Sequence, residues 1–156
     1  MKLKLFYMSG SGNLFTVINN SIYKLPEEIL EKLAQDFCNI NEYNDFRTEG
    51  FMAIDKSELV DFDVKFFNPD GSSGMMCGNG GRCAVRFAVD SGIRLDVSRF
   101  HDFTMAGDTY KAEMIDENIS LEMPPAKKYE LNSQITVHGN IVEFDFVDVG
   151  TEHVVI

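Results

Sequence analysis

Residues 68–83 constrain the fold more than any other stretch, because they combine a turn signal, closely spaced glycines and a cysteine. The first four of these residues have proline second and glycine fourth, which is typical of a β-turn. Residues 82–91 then carry a helical pattern that stops at Gly92. The sequence therefore predicts a turn that leads into a helix, with Cys77 at the helix N-terminus.

Length and composition fit one soluble globular domain. The 156 residues are 44% hydrophobic, which is enough for a packed core. The 25 acidic residues outnumber the 14 basic ones and give a net charge of −11. This charge argues against nucleic acid or a membrane surface as partner, because both are bound through clustered Lys and Arg. The sequence has no signal-peptide pattern and no membrane-spanning run, so we expect a cytoplasmic protein.

The three cysteines are an odd number and do not make a disulfide framework. Cys77 and Cys83 have neither the spacing of a redox Cys-x-x-Cys motif nor that of a zinc pair, so we predict no metal site. Cys38 directly follows a predicted helix, and Cys83 is turned away from Cys77 on its own helix. We therefore predict that Cys38 and Cys83 are core residues.

Apolar patterning predicts a chain of short strands with one surface helix, at residues 26–37. Residues 2–8 and 15–18 are predicted to form a hairpin that turns at residues 9–13, where Asn13 is either a turn residue or a ligand contact. Gly10 and Gly12 resemble part of a dinucleotide-binding motif, but Phe15 replaces the third glycine, so we predict no such cofactor. Further strands are predicted at residues 50–54, 59–67, 103–106, 109–115, 119–123, 135–137 and 141–149.

The predicted position of Cys77 suits it for proton transfer. Unpaired backbone N–H groups and the positive end of the helix dipole favour a thiolate there, which makes it a usable base near neutral pH. Gly78 and the glycines after it allow a carboxylate to approach the same N–H groups. The alternative is a buried cysteine beside a flexible turn. Arg82 and Arg86 are one helical turn apart, and we interpret them as a solvated stripe rather than as substrate ligands.

Five blocks of the sequence occur in a characteristic order. They are Ser9-Gly10-Ser11-Gly12-Asn13-Leu14-Phe15, Phe67-Asn68-Pro69-Asp70-Gly71-Ser72, Met76-Cys77-Gly78-Asn79-Gly80-Gly81-Arg82-Cys83, Thr104-Met105-Ala106-Gly107 and Val149-Gly150-Thr151-Glu152-His153-Val154. Together they resemble the diaminopimelate epimerase family along nearly the whole chain. The resemblance implies an α+β fold, in which a mostly antiparallel, β-barrel-like sheet wraps around a central helix. It also implies two such domains with the active site in the cleft between them.

The resemblance further implies a cofactor-independent, two-base reaction that converts LL- to meso-diaminopimelate, in lysine and peptidoglycan precursor synthesis. Cys77 matches the cysteine that removes the α-proton from one face, and a second cysteine from the other domain returns a proton to the opposite face. Asn13 and Asn68 match substrate contacts. The backbone of Gly78 and Asn79 matches the site of the α-carboxylate, whose growing negative charge a helix terminus stabilises. The implied partner is a small amino-acid substrate.

Two blocks depart from the family pattern. The family has His before the first glycine and Asp after the first asparagine, where this chain has Ser9 and Leu14. Its late motif, Gly-Asn-Pro-His, has Thr151 in place of the asparagine here, and ends on His153. We predict that Thr151 contacts substrate through its hydroxyl. His153 is either a ligand-site residue or part of a strand.

The second catalytic cysteine and its glycine-rich helix start have no counterpart in the 156 residues. We therefore predict that residues 1–156 form a single N-terminal epimerase-like domain, with the C-terminal partner domain missing from this chain. The apolar ending of the sequence also indicates the front part of a longer protein. An exposed domain face would favour self-association as a homodimer.

Three alternatives stay open at this point. The first is a related racemase or isomerase of the proline, hydroxyproline or phenazine-pathway type. The second is a cysteine hydrolase that pairs Cys77 with His101, His138 or His153. The third is a non-catalytic half-domain that only binds ligands or pairs with another subunit.

Overall fold

A computed structural model describes residues 2–40, 45–94 and 99–156 of the chain. The chain divides into two compact units, Met1–Glu122 and Met123–Ile156. Whether the 156 residues act as one half of a two-domain protein stays a prediction. In the described part of the chain, no helix has both the length and the apolar character that crossing a membrane requires.

In its described residues, the first unit is a seven-stranded sheet with three helices. Its strands lie in sequence order, β1 to β7, with parallel pairing between β2 and β3 and between β4 and β5, and antiparallel pairing between all other neighbours. The sheet is therefore mostly antiparallel, as predicted. Its elements are β1 Phe6–Gly10, β2 Asn13–Asn19, α1 Asn20–Tyr23, α2 Glu27–Cys38, β3 Gly50–Lys56, β4 Phe62–Phe67, α3 Gly78–Asp90, β5 Phe100–Met105, β6 Asp108–Ile115 and β7 Asn118–Glu122.

Helix α3 lies in the centre of the sheet, since it contacts both edge strands, β1 and β7, as well as β2 and β3. A sheet whose two edges meet the same helix is curved around it. Successive strand residues face opposite sides of a sheet, so Met52 packs in the core with α3 while its neighbour Phe51 packs in a second core with α2. The expected barrel-like sheet around a central helix, with a surface helix outside, is confirmed.

Several predicted boundaries were wrong by a few residues. Helix α3 begins at Gly78 rather than at Arg82, because the buried Gly81 lies against Leu121, Met76 and Phe103 and packing outweighs its poor helix propensity. Strand β1 begins at Phe6 and β4 at Phe62, both later than predicted. The four-residue helix α1 was not predicted.

The predicted first hairpin is confirmed, with a tight two-residue turn. Gly10 pairs with Asn13, so Ser11 and Gly12 alone form the loop. Both have positive φ, 51° and 93°, as a two-residue turn that matches strand twist requires. The turn therefore fixes where Asn13 begins the second strand.

The second unit is a three-stranded antiparallel sheet in the order β10, β9, β8. The predicted hairpin around His138 is confirmed, although β8 begins at Lys128 rather than at Ile135. The pairing of β8 with β9 shifts register between Glu130 and Ser133. This shift interrupts the alternation of apolar and polar residues that predicts a strand. The strands are β8 Lys128–Val137, β9 Asn140–Asp148 and β10 Glu152–Val155.

Candidate active site

Cys77 is the N-cap residue of helix α3, as predicted. Its backbone is extended, with φ −122° and ψ 111°, and its Sγ accepts a hydrogen bond from the backbone N–H of Gly80 at 3.4 Å. Its carbonyl accepts from the N–H of Gly81 at 2.7 Å. The sulfur is thus held at the positive end of the helix dipole, where negative charge is stabilised.

The other two cysteines have different surroundings. Cys38 and Cys83 are buried, whereas Cys77 is half-buried. Burial raises the pKa of Cys83 to about 11, with the charge of Arg82 offsetting part of the rise. Burial also raises the pKa of Cys38, against hydrogen bonds with Thr48 and Thr16 that lower it. Both residues are protonated core thiols near neutral pH, which leaves Cys77 as the cysteine placed for acid–base chemistry.

The first turn of α3 also offers backbone donors. The first N–H groups of a helix have no intrahelical acceptor, and Gly78 and Asn79 are the first two residues of α3. The N–H groups of Gly80 and Gly81 are already bonded to Cys77. The donors open to an anionic ligand are therefore those of Gly78 and Asn79, next to the Cys77 sulfur.

A chain of side-chain hydrogen bonds links this turn to the first hairpin. Asn79 donates through Nδ2 to Oδ1 of Asn13. Arg82 donates through Nη2 to Oδ1 of Asn79, and the same nitrogen lies 3.2 Å from Oγ of Ser11. Two of the predicted site residues, Asn13 and Asn79, are thus brought together across 66 positions of sequence, and Asn79 lies in the turn of α3 that Cys77 caps.

The close approach of hairpin and helix depends on Gly10. A Cβ atom at this position would lie 2.7 Å from the carbonyl oxygen of Asn79 and 2.9 Å from Sγ of Cys83. No larger residue fits without displacing one of these atoms. The two glycines that resembled a nucleotide motif therefore shape the hairpin turn and its contact with α3.

Arg82 is the site residue that the sequence interpretation missed. The predicted solvated stripe describes Arg86, which pairs with Asp90 and Glu117 at the surface. Arg82 bonds instead to Asn79, three residues before it. The i, i+3 spacing on a helix was the available signal for this contact, but it did not reveal the contact with Ser11.

The remaining predicted residues belong to other segments of the chain. Asn68 is held in its own turn, where its Nδ2 donates to Oγ of Ser72 at 3.0 Å and to the carbonyl of Ser73 at 3.4 Å. Thr151 and His153 belong to the second compact unit, Thr151 before β10 and His153 within it. Their predicted contacts with substrate stay predictions. Among the residues described, no three His, Cys, Asp or Glu side chains are grouped to hold a metal ion.

Solved structures with this fold define the class. The chain aligns over 99% of its length with 55% of a phenazine biosynthesis protein of the PhzF family from Bacillus anthracis, with TM-score 0.74 and 14% identity. It aligns over 97% of its length with 50% of a hydroxyproline epimerase from Agrobacterium vitis, with TM-score 0.71 and 18% identity. At such low identity the likeness shows the fold alone, an α+β fold that the chain shares with these proteins.

Sequence comparison gives the family. The family description that matches is diaminopimelate epimerase, over residues 5–129. The chain is 34% identical over 151 residues to the diaminopimelate epimerase of Chlorobaculum tepidum, covering 95% of this chain and 54% of that protein. It is also 34% identical over 163 residues to that of Aquifex aeolicus, covering 99% and 57%. The chain belongs to the diaminopimelate epimerase family, and it spans about half the length of these relatives.

Proposed function

We propose that this chain carries one acid–base half of a cofactor-independent amino-acid epimerase of the diaminopimelate type. The observation that carries the proposal is the position of Cys77, half-buried at the start of α3 with its sulfur accepting from the N–H of Gly80. Membership of a family of isomerases supports the reaction class. The proposed substrate is LL-diaminopimelate, which the enzyme converts to the meso form.

In the proposed reaction the Cys77 thiolate removes the α-proton and becomes a thiol. The electron pair left on the α-carbon spreads into the α-carboxylate, and the N–H groups of Gly78 and Asn79 stabilise that charge as it grows. Asn13 and Asn68 are the proposed side-chain contacts. Inversion requires a second acid on the opposite face of the substrate.

Neither Cys38 nor Cys83 is suited to be that second acid, since both are buried core thiols. We propose that a cysteine outside these 156 residues supplies the proton, from a C-terminal domain or a partner chain. In the same proposal Thr151 and His153 contribute contacts to substrate, the assembly is a homodimer and the protein is cytoplasmic. No cofactor takes part in the reaction.

The test is to incubate the 156-residue chain with LL-diaminopimelate in deuterated water, and to follow α-deuterium incorporation and stereochemistry separately. A single thiol that exchanges its proton with solvent returns a deuteron to the face it deprotonated. We therefore expect exchange with retention of configuration. Full epimerisation by this chain would contradict the division of the site between two halves.

Two matched variants assign the exchange to one thiol. Cys77→Ser is expected to lose nearly all exchange, because a serine hydroxyl is a far weaker acid than a thiol. Cys38→Ser removes a buried thiol and is expected to exchange like the parent protein. Proline and trans-4-hydroxyproline are tested as alternative substrates. Faster exchange with either would favour a racemase of the proline or hydroxyproline type over a diaminopimelate epimerase.

A further inference from the structure

We propose that Arg82 is a positioning residue that sets the orientation of two asparagine amides, so that Asn13 presents a hydrogen-bond donor to the substrate carboxylate. This inference rests on the proposed function for its substrate. Its structural basis is the hydrogen-bond chain from Arg82 through Asn79 to Asn13.

The orientation of both amides follows from the chemistry of the guanidinium group. Arginine has donors and no acceptor, so the Asn79 atom that faces Arg82 is the oxygen Oδ1. The Asn79 nitrogen is then directed at Asn13, whose facing atom is Oδ1. The side-chain amide of each asparagine has two possible orientations, and only one of them places a donor opposite an acceptor at each step of this chain. The Asn13 nitrogen Nδ2 is therefore the group left to bind a ligand, and it is a donor.

Arg82 also ties the hairpin to the helix. The nitrogen that bonds to Asn79 lies 3.2 Å from the hydroxyl oxygen of Ser11, in the two-residue turn that precedes Asn13. One guanidinium thus contacts both the side chain of the helical asparagine and the turn that carries the strand asparagine. Charged hydrogen bonds of this kind are stronger than neutral ones, so the contact limits the movement of Asn13 relative to α3.

Arg82 and Arg86, one turn apart on α3, differ in their ion pairs. Arg86 is paired with two carboxylates, Asp90 and Glu117. Within residues 2–40, 45–94 and 99–156, no carboxylate forms an ion pair with Arg82. In a chain with net charge −11, this cation bonds to the side chain of Asn79, a residue of the first turn of α3. It therefore favours an anionic group at the same place where the amides present their donor.

The inference predicts which kinetic constant changes. Arg82 acts on groups that hold the carboxylate, and no hydrogen bond joins it to Cys77 in the described part of the chain, so its loss should weaken substrate binding more than it slows proton transfer. Loss of one charged hydrogen bond corresponds to about a tenfold change in affinity. For Arg82→Met we expect the KM for α-deuterium exchange to rise about tenfold at a nearly unchanged maximal rate.

The variants are Arg82→Met, Arg82→Lys and the matched control Arg86→Met. Lysine keeps the positive charge but lacks the planar guanidinium with its several N–H donors. Arg82→Lys should therefore raise KM less than Arg82→Met does. The control removes an arginine of the same helix that takes no part in the site, and its KM should match the parent value. An equal rise in KM in Arg82→Met and Arg86→Met would overturn the inference, and so would a fall in maximal rate at unchanged KM.

A spectroscopic measurement keeps the test independent of activity. In the ¹⁵N-labelled chain the side-chain NH₂ signals of Asn13 and Asn79 are assigned by their disappearance in Asn13→Asp and Asn79→Asp. We expect both signals to shift in Arg82→Met and in Arg82→Lys, and to stay in place in Arg86→Met. Unchanged signals in the Arg82 variants would overturn the inference. Absence of exchange in the parent chain would overturn the proposed function alone, since the spectra still decide the role of Arg82.

Discussion

The two compact units of the chain bury their apolar side chains to very different extents. In the first, helix α3 is surrounded by fully buried aromatic residues from several strands, including Phe15, Phe62 and Phe103. In the second, Ile135 is 53% exposed and Val154 is 58% exposed. A sheet gains its stability by covering an apolar face, so the first unit should account for nearly all of the unfolding free energy.

Several apolar side chains of the second unit share one face of its sheet. Ile135 pairs with Val142, and Val154 pairs with Phe146, so these side chains point the same way as Phe144. The difference between the units bears on the site. Cys77, Asn13 and Asn79 are held by the packed core of the first unit, whereas Thr151 and His153 belong to a sheet with an exposed apolar face. We expect the first three to keep their arrangement in this chain alone.

The largest expected effect is the loss of a core aromatic ring from the first unit. Phe103 is fully buried and stacks on Phe62 with ring centroids 5.1 Å apart. Phe103→Ala should lower the unfolding free energy by about 3–5 kcal/mol, because the ring's burial is lost and a cavity remains. Urea unfolding followed by circular dichroism measures the change.

The matched substitution in the second unit is Ile135→Ala. Because Ile135 is half-exposed, its truncation should change the unfolding free energy by only about 0.5 kcal/mol. Similar losses in Phe103→Ala and Ile135→Ala would show that the second sheet is part of the stable core, and would remove the distinction between the units.

The next largest effect concerns Gly10, where the first hairpin packs against α3. Gly10→Ala places a methyl group within 3 Å of the Asn79 carbonyl and the Cys83 sulfur, so we expect a loss of about 1–3 kcal/mol from overpacking. The hairpin must also move away from the helix, which should shift the NH₂ signal of Asn13. Ser9→Ala, at an exposed position of the same strand, is the control. A Gly10→Ala protein as stable as this control would contradict the close packing.

The sequence predicted the position of Cys77 at a helix N-terminus better than it predicted the surroundings of that residue. A run of glycines before a helical pattern was enough to predict Cys77 at a helix N-terminus, because capping is a local property. The true start of α3 was not predictable in this way. Gly81 is helical because of its packing against Leu121 and Phe103, which are distant in sequence and near in space only after the sheet has formed.

The same limit explains the interpretation of Arg82. Arg82 and Arg86 have equivalent positions in a helical pattern, and sequence alone gives no reason to separate them. The difference arises because the turn at Ser11 lies beside Arg82 and Glu117 lies beside Arg86.

Strand pairing could not be predicted for a similar reason. Alternation predicted strands, but the parallel pairing of β2 with β3 depends on the excursion through α2 between them.

The last effect appears only in alkaline solution and again separates the units, because all three cysteines belong to the first. Burial raises the pKa of Cys83 from its ordinary value of 9.0 to about 11 in the folded chain. The folded chain therefore loses this proton at a higher pH than the unfolded chain does. Below pH 9 the thiol is protonated in both states, and its full contribution to the unfolding free energy is present. That stability is lost as the pH rises towards 11.

We expect the unfolding free energy to fall over this interval, and to fall less steeply in Cys83→Ala, since alanine has no proton to lose. Buried Tyr110 and Cys38, whose pKa values burial also raises, titrate in both proteins, so their contribution cancels in the difference between the two curves. Urea unfolding at pH 8, 9, 10 and 11 measures this difference. Parallel curves for the parent and Cys83→Ala would mean that the thiol of Cys83, on α3, is not buried against Gly10 as the structure has it. The contrast between a packed first unit and an exposed second one would then weaken close to the site.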